Sequence, residues 1–503
     1  MREAHLLTPD LSPALQGLLR TGYGVLLLGT LLMTWPHARR FFASERFGGY
    51  ALASPVGDRI HSPAAIQALM VIWAGCAALI AAGRWTMWAA LVNLLLCRHF
   101  FISLRWKSLL RGMGAPGFLS YWLAACVFFL EISLADPTGG LRQAALAVLR
   151  VDFACIILAA GIYKITAGYP KNHGMELGLV NPEWGYWWRT YRGVPPDHWL
   201  FRAMNHLAWF TEVVAALLLL VPGLRWLGAT LLVVSFCFIL TQIRLGWLCE
   251  MVILCGLLYG TPGGWVDRWV QGWLPAALWS VGPASHLPDA AAQPLTWGLW
   301  IYLTLLPLAY AGLYYNFYGR KALPGRWQRI LERYTNAFGM ILWRVFTVDV
   351  VDFFVQIYAE TPEGPRRLVS RYGARDRTSY FRYDHVGESI CVTSIFTALK
   401  YYPSRPTIFQ ERLLRYARTI PCPKDALLVF EYVSILRGKT AFTFQPVREY
   451  RVDPRRGSIA EGVLDSAISV VVAAPLSPAH EATAPGSYAP PESITAHHRA
   501  AAP

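Results

Sequence analysis

Stretches of about 20 mostly apolar residues, the length a helix needs to cross a bilayer, succeed one another through this chain. They fall at 16–36, 64–83, 86–104, 117–135, 144–163, 206–222, 226–243, 246–262 and 295–317. No other feature restricts the fold as much. Backbone polar groups in lipid must be satisfied within their own segment, so each run has to be a helix. The expected fold class is therefore mostly α: a polytopic helical membrane protein of about nine spans, residues 1–319. A composition of 55% hydrophobic and 15% charged residues, with 21 Trp in 503 residues, agrees with that class. The run at 21–36 is followed by "HARRFF" with no small-residue cleavage site, and reads as the first anchor rather than a signal peptide.

The formal charge of +15 does not point to nucleic acid, because the basic residues are scattered among the connections between apolar runs. Their distribution alternates. Arg39, Arg40, Arg46 and Arg59 lie in the first connection, Arg98, Arg105, Lys107 and Arg111 in the third, and Lys164, Lys171, Arg189, Arg192 and Arg202 in the fifth; the connections between these are poorer. Retention of positive loops places the odd connections and the C-terminal region in the cytoplasm of a multi-pass cell-membrane protein.

After residue 319 the character changes. Residues 320–346 read as a basic amphipathic helix against the membrane face. The segments 349–360, 426–438 and 440–452 read as strands and 407–419 as a helix, together a small soluble α+β domain within 320–472. The Ala/Pro/Ser-rich tail, 473–503, is expected to be disordered. Seven of the nine cysteines sit in apolar segments, while Cys391 and Cys422 can pair if their region faces an oxidising compartment.

No phosphate-cradling loop, nucleophile elbow, zinc-protease helix or CxxC pair occurs, so no metal site is expected. What remains are ionisable residues at membrane depth: Arg98, His99, Glu131, Arg150, Asp152, Lys164, Glu212, Arg244 and Glu250. Such residues are expensive in lipid and often mark function. Arginines near span ends also snorkel, and Arg150 and Asp152 can neutralise each other. Lys164 ends an uncharged run and precedes a turn-rich loop. It is either a snorkelling anchor or, desolvated into its neutral form, a base for a weak acid such as a phenol or quinol. His99 and Glu212 are weaker catalytic candidates.

The segment "RVDFACIILAAGIYKI" with the following "HGMELG" resembles the core of the HTTM (horizontally transferred transmembrane), or vitamin K-dependent γ-carboxylase-like, family. Arg150, Asp152, Ala160, Gly161, Lys164, Ile165 and Gly174 fit its pattern. "SLRWKSLLRGMGAPGFL" and "WFTEVVAALLLLVPG" are similar to further family segments, so that the likeness spans about residues 15–320. The resemblance implies that Lys164 is the base that deprotonates a reduced quinone, and that a peptide or lipid at the interface is modified. It also implies the opposite sidedness from the charge count, because the carboxylase keeps its reactive loop and C-terminal domain in the lumen. Two other classes stand beside the enzyme: a non-enzymatic maturation or immunity factor for a secreted peptide, and a small-molecule or proton-coupled transporter using Glu131, Glu212 and Glu250.

Overall fold

The structure, a computed structural model, describes residues 10–279, 287–319, 323–343, 348–362, 364, 366–369, 383–423, 425–463 and 471–472. The expected disordered tail lies outside the described residues, as does Arg320.

Among the described residues eight helices are long and apolar enough to cross a membrane. They are built on α1 (Pro13–Thr34), α2 (Pro63–Ala82), α3 (Thr86–Cys97, continued by a π turn Arg98–Ser103), α4 (Gly114–Ser133), α5 (Gly140–Ala167), α6 (Trp199–Leu220), α7 (Arg225–Gln242) and α10 (Asp289–Tyr318). Local sequence sets their ends. Ser12 and Ser62 cap the backbone N–H groups of Leu15 and Ala65, and each is followed by a proline that fits the first helical position. Gly83 and Gly168 take left-handed φ of 68° and 109° and close α2 and α5.

The ninth expected span departs from the sequence reading. Where 246–262 was to cross, the helical part is α8 (Leu248–Gly256) followed by a 3-10 turn, Leu257–Tyr259. Twelve helical residues reach about 18 Å, well short of the roughly 30 Å of a hydrocarbon core. Gly246, with φ of 59°, blocks extension at one end, and the Gly260–Thr261–Pro262 turn blocks it at the other. The chain nevertheless changes face here. Before α8, Tyr186 N–H donates to Gln242 O and Arg244 N–H to Trp184 O, which ties this point to the connection between α5 and α6. Past α8, Asp267 of α9 (Trp265–Trp273) accepts from Ser12 Oγ at the start of α1. Leu248, Cys249, Met251, Val252 and Cys255 are buried, so protein rather than lipid surrounds the short leg.

The bundle thus has two faces. On the N face, Glu131 accepts from Gln16 at 2.9 Å and from Thr86 at 2.6 Å, and Arg142 bonds Asp10. On the C face lie the first, third and fifth connections and the C-terminal domain. That domain is an antiparallel sheet in the order β2-β1-β3-β4-β5-β6: β1 Phe353–Glu360, β2 Arg367–Leu368, β3 Leu427–Arg437, β4 Phe442–Asp453, β5 Ser458–Val463 and β6 Val471–Val472. Between β2 and β3 come α12 (Tyr383–Tyr401) and α13 (Pro406–Ala417), whose Phe396 and Phe409 pack on Phe430 and Tyr450 of the sheet. The strand expected from 349 begins instead with a helical turn, Val348–Val351.

Contacts on two sides seat the domain on the bundle. Glu388 of α12 takes Arg40 at 2.6 Å, Tyr50 at 3.2 Å and Tyr416 at 2.8 Å. On the other side, Asn181 Nδ2 donates to Val351 O and Phe353 O, and Val355 N–H donates to Glu183. The part of β1 that β2 does not reach is thereby covered, which removes an exposed pairing edge. The segment read as an amphipathic helix forms α11 (Gly325–Phe338), folded back along α10, where Gln328 bonds Asn316.

Candidate functional site

The site starts from a glycine. A Cβ on Gly161 would stand 2.6 Å from Val213 Cγ2 and 3.0 Å from Val213 N, so only glycine allows α5 and α6 to approach this closely. One turn later on α5 comes Lys164, and it meets Glu212 of α6. Lys164 is 4% and Glu212 3% exposed. Lys164 Nζ donates to Glu212 Oε1 in a direct ion pair. Glu212 Oε2 is buried and has no hydrogen-bond partner among the described residues. Three residues earlier on the same side of α6 the indole N–H of Trp209 is likewise buried and unpartnered. One acceptor at the ion pair and one donor a turn earlier on α6 therefore stand unsatisfied among the described residues, a costly condition in a low-dielectric interior.

The loop after Lys164 lies over this pair. Gly168 ends α5, and Tyr169 turns back to be completely buried. Burial pushes the Tyr169 hydroxyl well above the ordinary tyrosine range, and the nearby Glu212 and Glu176 carboxylates add to the shift. A Cβ on Gly174 would stand 2.4 Å from the Tyr169 ring, so the glycine at this place is required sterically. Glu176, fully buried, accepts from Gly174 N–H and from Asn205 Nδ2 at 2.7 Å; Asn205 also holds Asn172 and Met175 N–H. From the C-terminal domain, Arg437 donates to Asn172 O at 2.8 Å and to Asp197 at 2.6 Å. The last residue of β3 thus pins the loop that covers the buried pair.

Lys164 and Glu212 are brought together; His99 is not placed with them. Its Nε2 lies 3.3 Å from His61 Nε2, with the rings stacked 5.1 Å apart, and His61 Nδ1 bonds Phe42 O. Arg150 and Asp152 do not neutralise each other. Arg150 donates to Leu258 O, while Asp152 accepts from Trp122 and Tyr302. Glu131 belongs to the N-face network, and Glu250 Oε2 on α8 is buried without a hydrogen-bond partner among the described residues. Cys391 and Cys422 are both free thiols. Among the described residues no group of three or more His, Cys, Asp or Glu is placed to hold a metal ion.

The sequence reading missed Trp209, Asn205 and Arg437. Asn205, Trp209 and Glu212 recur at i, i+4 and i+7, a one-sided row on α6 that carried a signal. Arg437 carried none, because its partner lies 265 residues away. No family model, curated protein or solved structure matches this chain. What stands is its class, a multi-pass helical membrane protein with a small antiparallel C-terminal sheet.

Proposed function

We propose that this protein is a proton-transfer enzyme of the membrane, with Lys164 and Glu212 as its acid–base pair and a lipid-soluble hydroxyl compound of the reduced-quinone type as its substrate. The observation that carries the reading is the buried pair with an unsatisfied acceptor of its own, Glu212 Oε2, and an unsatisfied donor, Trp209 Nε1, one turn earlier on α6 among the described residues. A hydroxyl group offers the complementary donor and acceptor. The resemblance of residues 150–178 to the γ-carboxylase-like family supports the same substrate class.

Burial disfavours both charges of the pair, which is the physical reason a proton can pass between its two members. Lys164 passes a proton to Glu212 and becomes a neutral amine. The substrate O–H bond then breaks, the proton forms a new N–H bond on Lys164, and Glu212 retains the proton it received. The pair ends with one positive charge, which faces the ionised substrate. Tyr169 and the pinned loop keep water out, so the charge pair is not screened. The bundle belongs to the cell membrane, with the C face in the cytoplasm, as the positive odd connections indicate.

The test uses purified full-length protein in nanodiscs with a reduced naphthoquinone as probe. Oxygen uptake is the readout, since the ionised probe is oxidised faster than the neutral one. The wild type is expected to exceed empty nanodiscs by at least tenfold, and Lys164→Arg and Lys164→Ala to lose that excess. A guanidinium does not surrender its proton. If Lys164→Arg keeps the wild-type rate, Lys164 is an anchor. A wild-type rate equal to that of empty nanodiscs removes the hydroquinone substrate.

A further inference from the structure

Away from the Lys164 site, α11 and the connection between α3 and α4 build a basic, aromatic shelf on the C face. One side of α11 is buried against α10: Leu331 packs where a Cβ on Gly312 would come within 2.9 Å, and Gln328 bonds Asn316 at 2.7 Å. Next round the helix is an exposed apolar flank, with Trp327 61%, Ile330 47% and Phe338 46% accessible. Beyond it runs an exposed ridge of Arg326, Arg329 and Arg333. On the far side, Asn336 Oδ1 accepts from Trp106 Nε1 at 3.4 Å, which brings the α3–α4 connection alongside. There Arg105 and Arg111 lie over the Trp106 ring at 5.3 and 5.0 Å, and Lys107 is exposed. The one acid on α11, Glu332, is engaged by Gln328.

The N face offers a different edge. On α9, Trp265, Trp269 and Trp273 are 72%, 56% and 77% exposed, while Asp267 is buried on Ser12 and Gly263. That helix is aromatic and carries a single cation, the exposed Arg268, rather than a basic ridge. The asymmetry, together with continuity between the apolar flank of α11 and the lipid-facing bundle, favours an anionic surface as the partner of the C face alone.

We propose that α11 and the Trp106 connection bind the anionic phospholipid headgroups of the C-face leaflet. Trp327, Ile330 and Phe338 lie in the boundary between headgroups and acyl chains, and Arg326, Arg329, Arg333 and Lys107 meet the phosphates. An apolar flank beside a row of cations is the arrangement by which amphipathic helices seat in a leaflet, and basic juxtamembrane clusters select anionic lipid. The site is independent of the proposed reaction and does not require it.

The test measures the thermal midpoint of the full chain in neutral detergent with added phosphatidylglycerol, phosphatidylcholine or inorganic phosphate. Phosphatidylglycerol is expected to raise the midpoint by several degrees more than phosphatidylcholine, and about 1 M salt to remove most of that difference. Arg326→Gln/Arg329→Gln/Arg333→Gln should keep the midpoint seen with phosphatidylcholine and lose at least half of the increment. Lys107→Gln, on the separate connection, should lose a smaller part and gives a second reading should the triple variant fold poorly. Equal effects of the two lipids, or an increment unchanged in the variants, would overturn the site. An equal increment from inorganic phosphate would overturn its assignment to lipid.

Discussion

At the scale of single residues, the Lys164–Glu212 pair is a structural tie as well as a reactive one. Removing one member leaves the other charge buried, at a cost of roughly 3–5 kcal/mol. Glu212→Ala should therefore lower the thermal midpoint more than the double variant Lys164→Met/Glu212→Leu, which removes both charges. A double variant less stable than the single one would contradict this. Glu183 supplies a pH-dependent contact outside the bundle. Burial pushes its carboxyl up to about 8 where it accepts from Val355 N–H. Since the folded carboxyl holds its proton to higher pH than the unfolded one, its contribution is complete below about 4.5 and is lost as pH rises to about 8. The slope is about 1.4 kcal/mol per pH unit at most. Docking of the C-terminal sheet should weaken across that window, and Glu183→Gln should flatten the dependence; proteolysis between the bundle and the sheet measures it. Lys164 was legible because a lone charge ends an uncharged run. Glu212 was legible too, as an acid at membrane depth, but its pairing with Lys164 was not, because the contact joins residues 48 apart.

Among the elements, the long helices and the three longest strands, β1, β3 and β4, could be read from composition and period, while the shorter β2, β5 and β6 could not, and the other exceptions have physical causes. Helix α12 escaped notice because its buried side carries Glu388, Ser389, Thr393 and Thr397, which blur the contrast between apolar and polar faces. Of these, Glu388 is accommodated by the first connection of the bundle, through Arg40 and Tyr50, while Thr397 bonds Thr393 O within the helix. The short α8 was read as a full span because hydropathy does not register that neighbouring helices shield it. Between α5 and α6, Gly161 sets the spacing that brings the pair into contact. Gly161→Ala should cost about 1–3 kcal/mol of stability and reduce oxygen uptake together with it. Full activity and unchanged stability would show that the two helices have room to spare.

For the molecule as a whole, the odd connections and the C-terminal domain share one face, and the start of α1 lies on the other. Charge alternation had grouped the same segments, which is why this part of the topology was accessible without coordinates. The joining of sheet to site was not, because Asn181, Glu183 and Arg437 reach across the boundary between two regions that read as separate. Asn181→Ala leaves the Val351 and Phe353 carbonyls without their donor and should loosen the sheet from the bundle, seen as faster amide exchange in β1. Reactive labelling of a cysteine placed at exposed Asp425 from the cytoplasmic side alone fits the orientation given by charge; labelling from outside alone would reverse it. The most direct test of the acid–base pair is the absorption spectrum of a reduced naphthoquinone bound anaerobically to the wild type and to Lys164→Arg. The spectrum of the ionised probe should appear with the wild type and be missing with the arginine variant. The neutral spectrum with both proteins, or the ionised one with both, would contradict a proton-accepting role for Lys164.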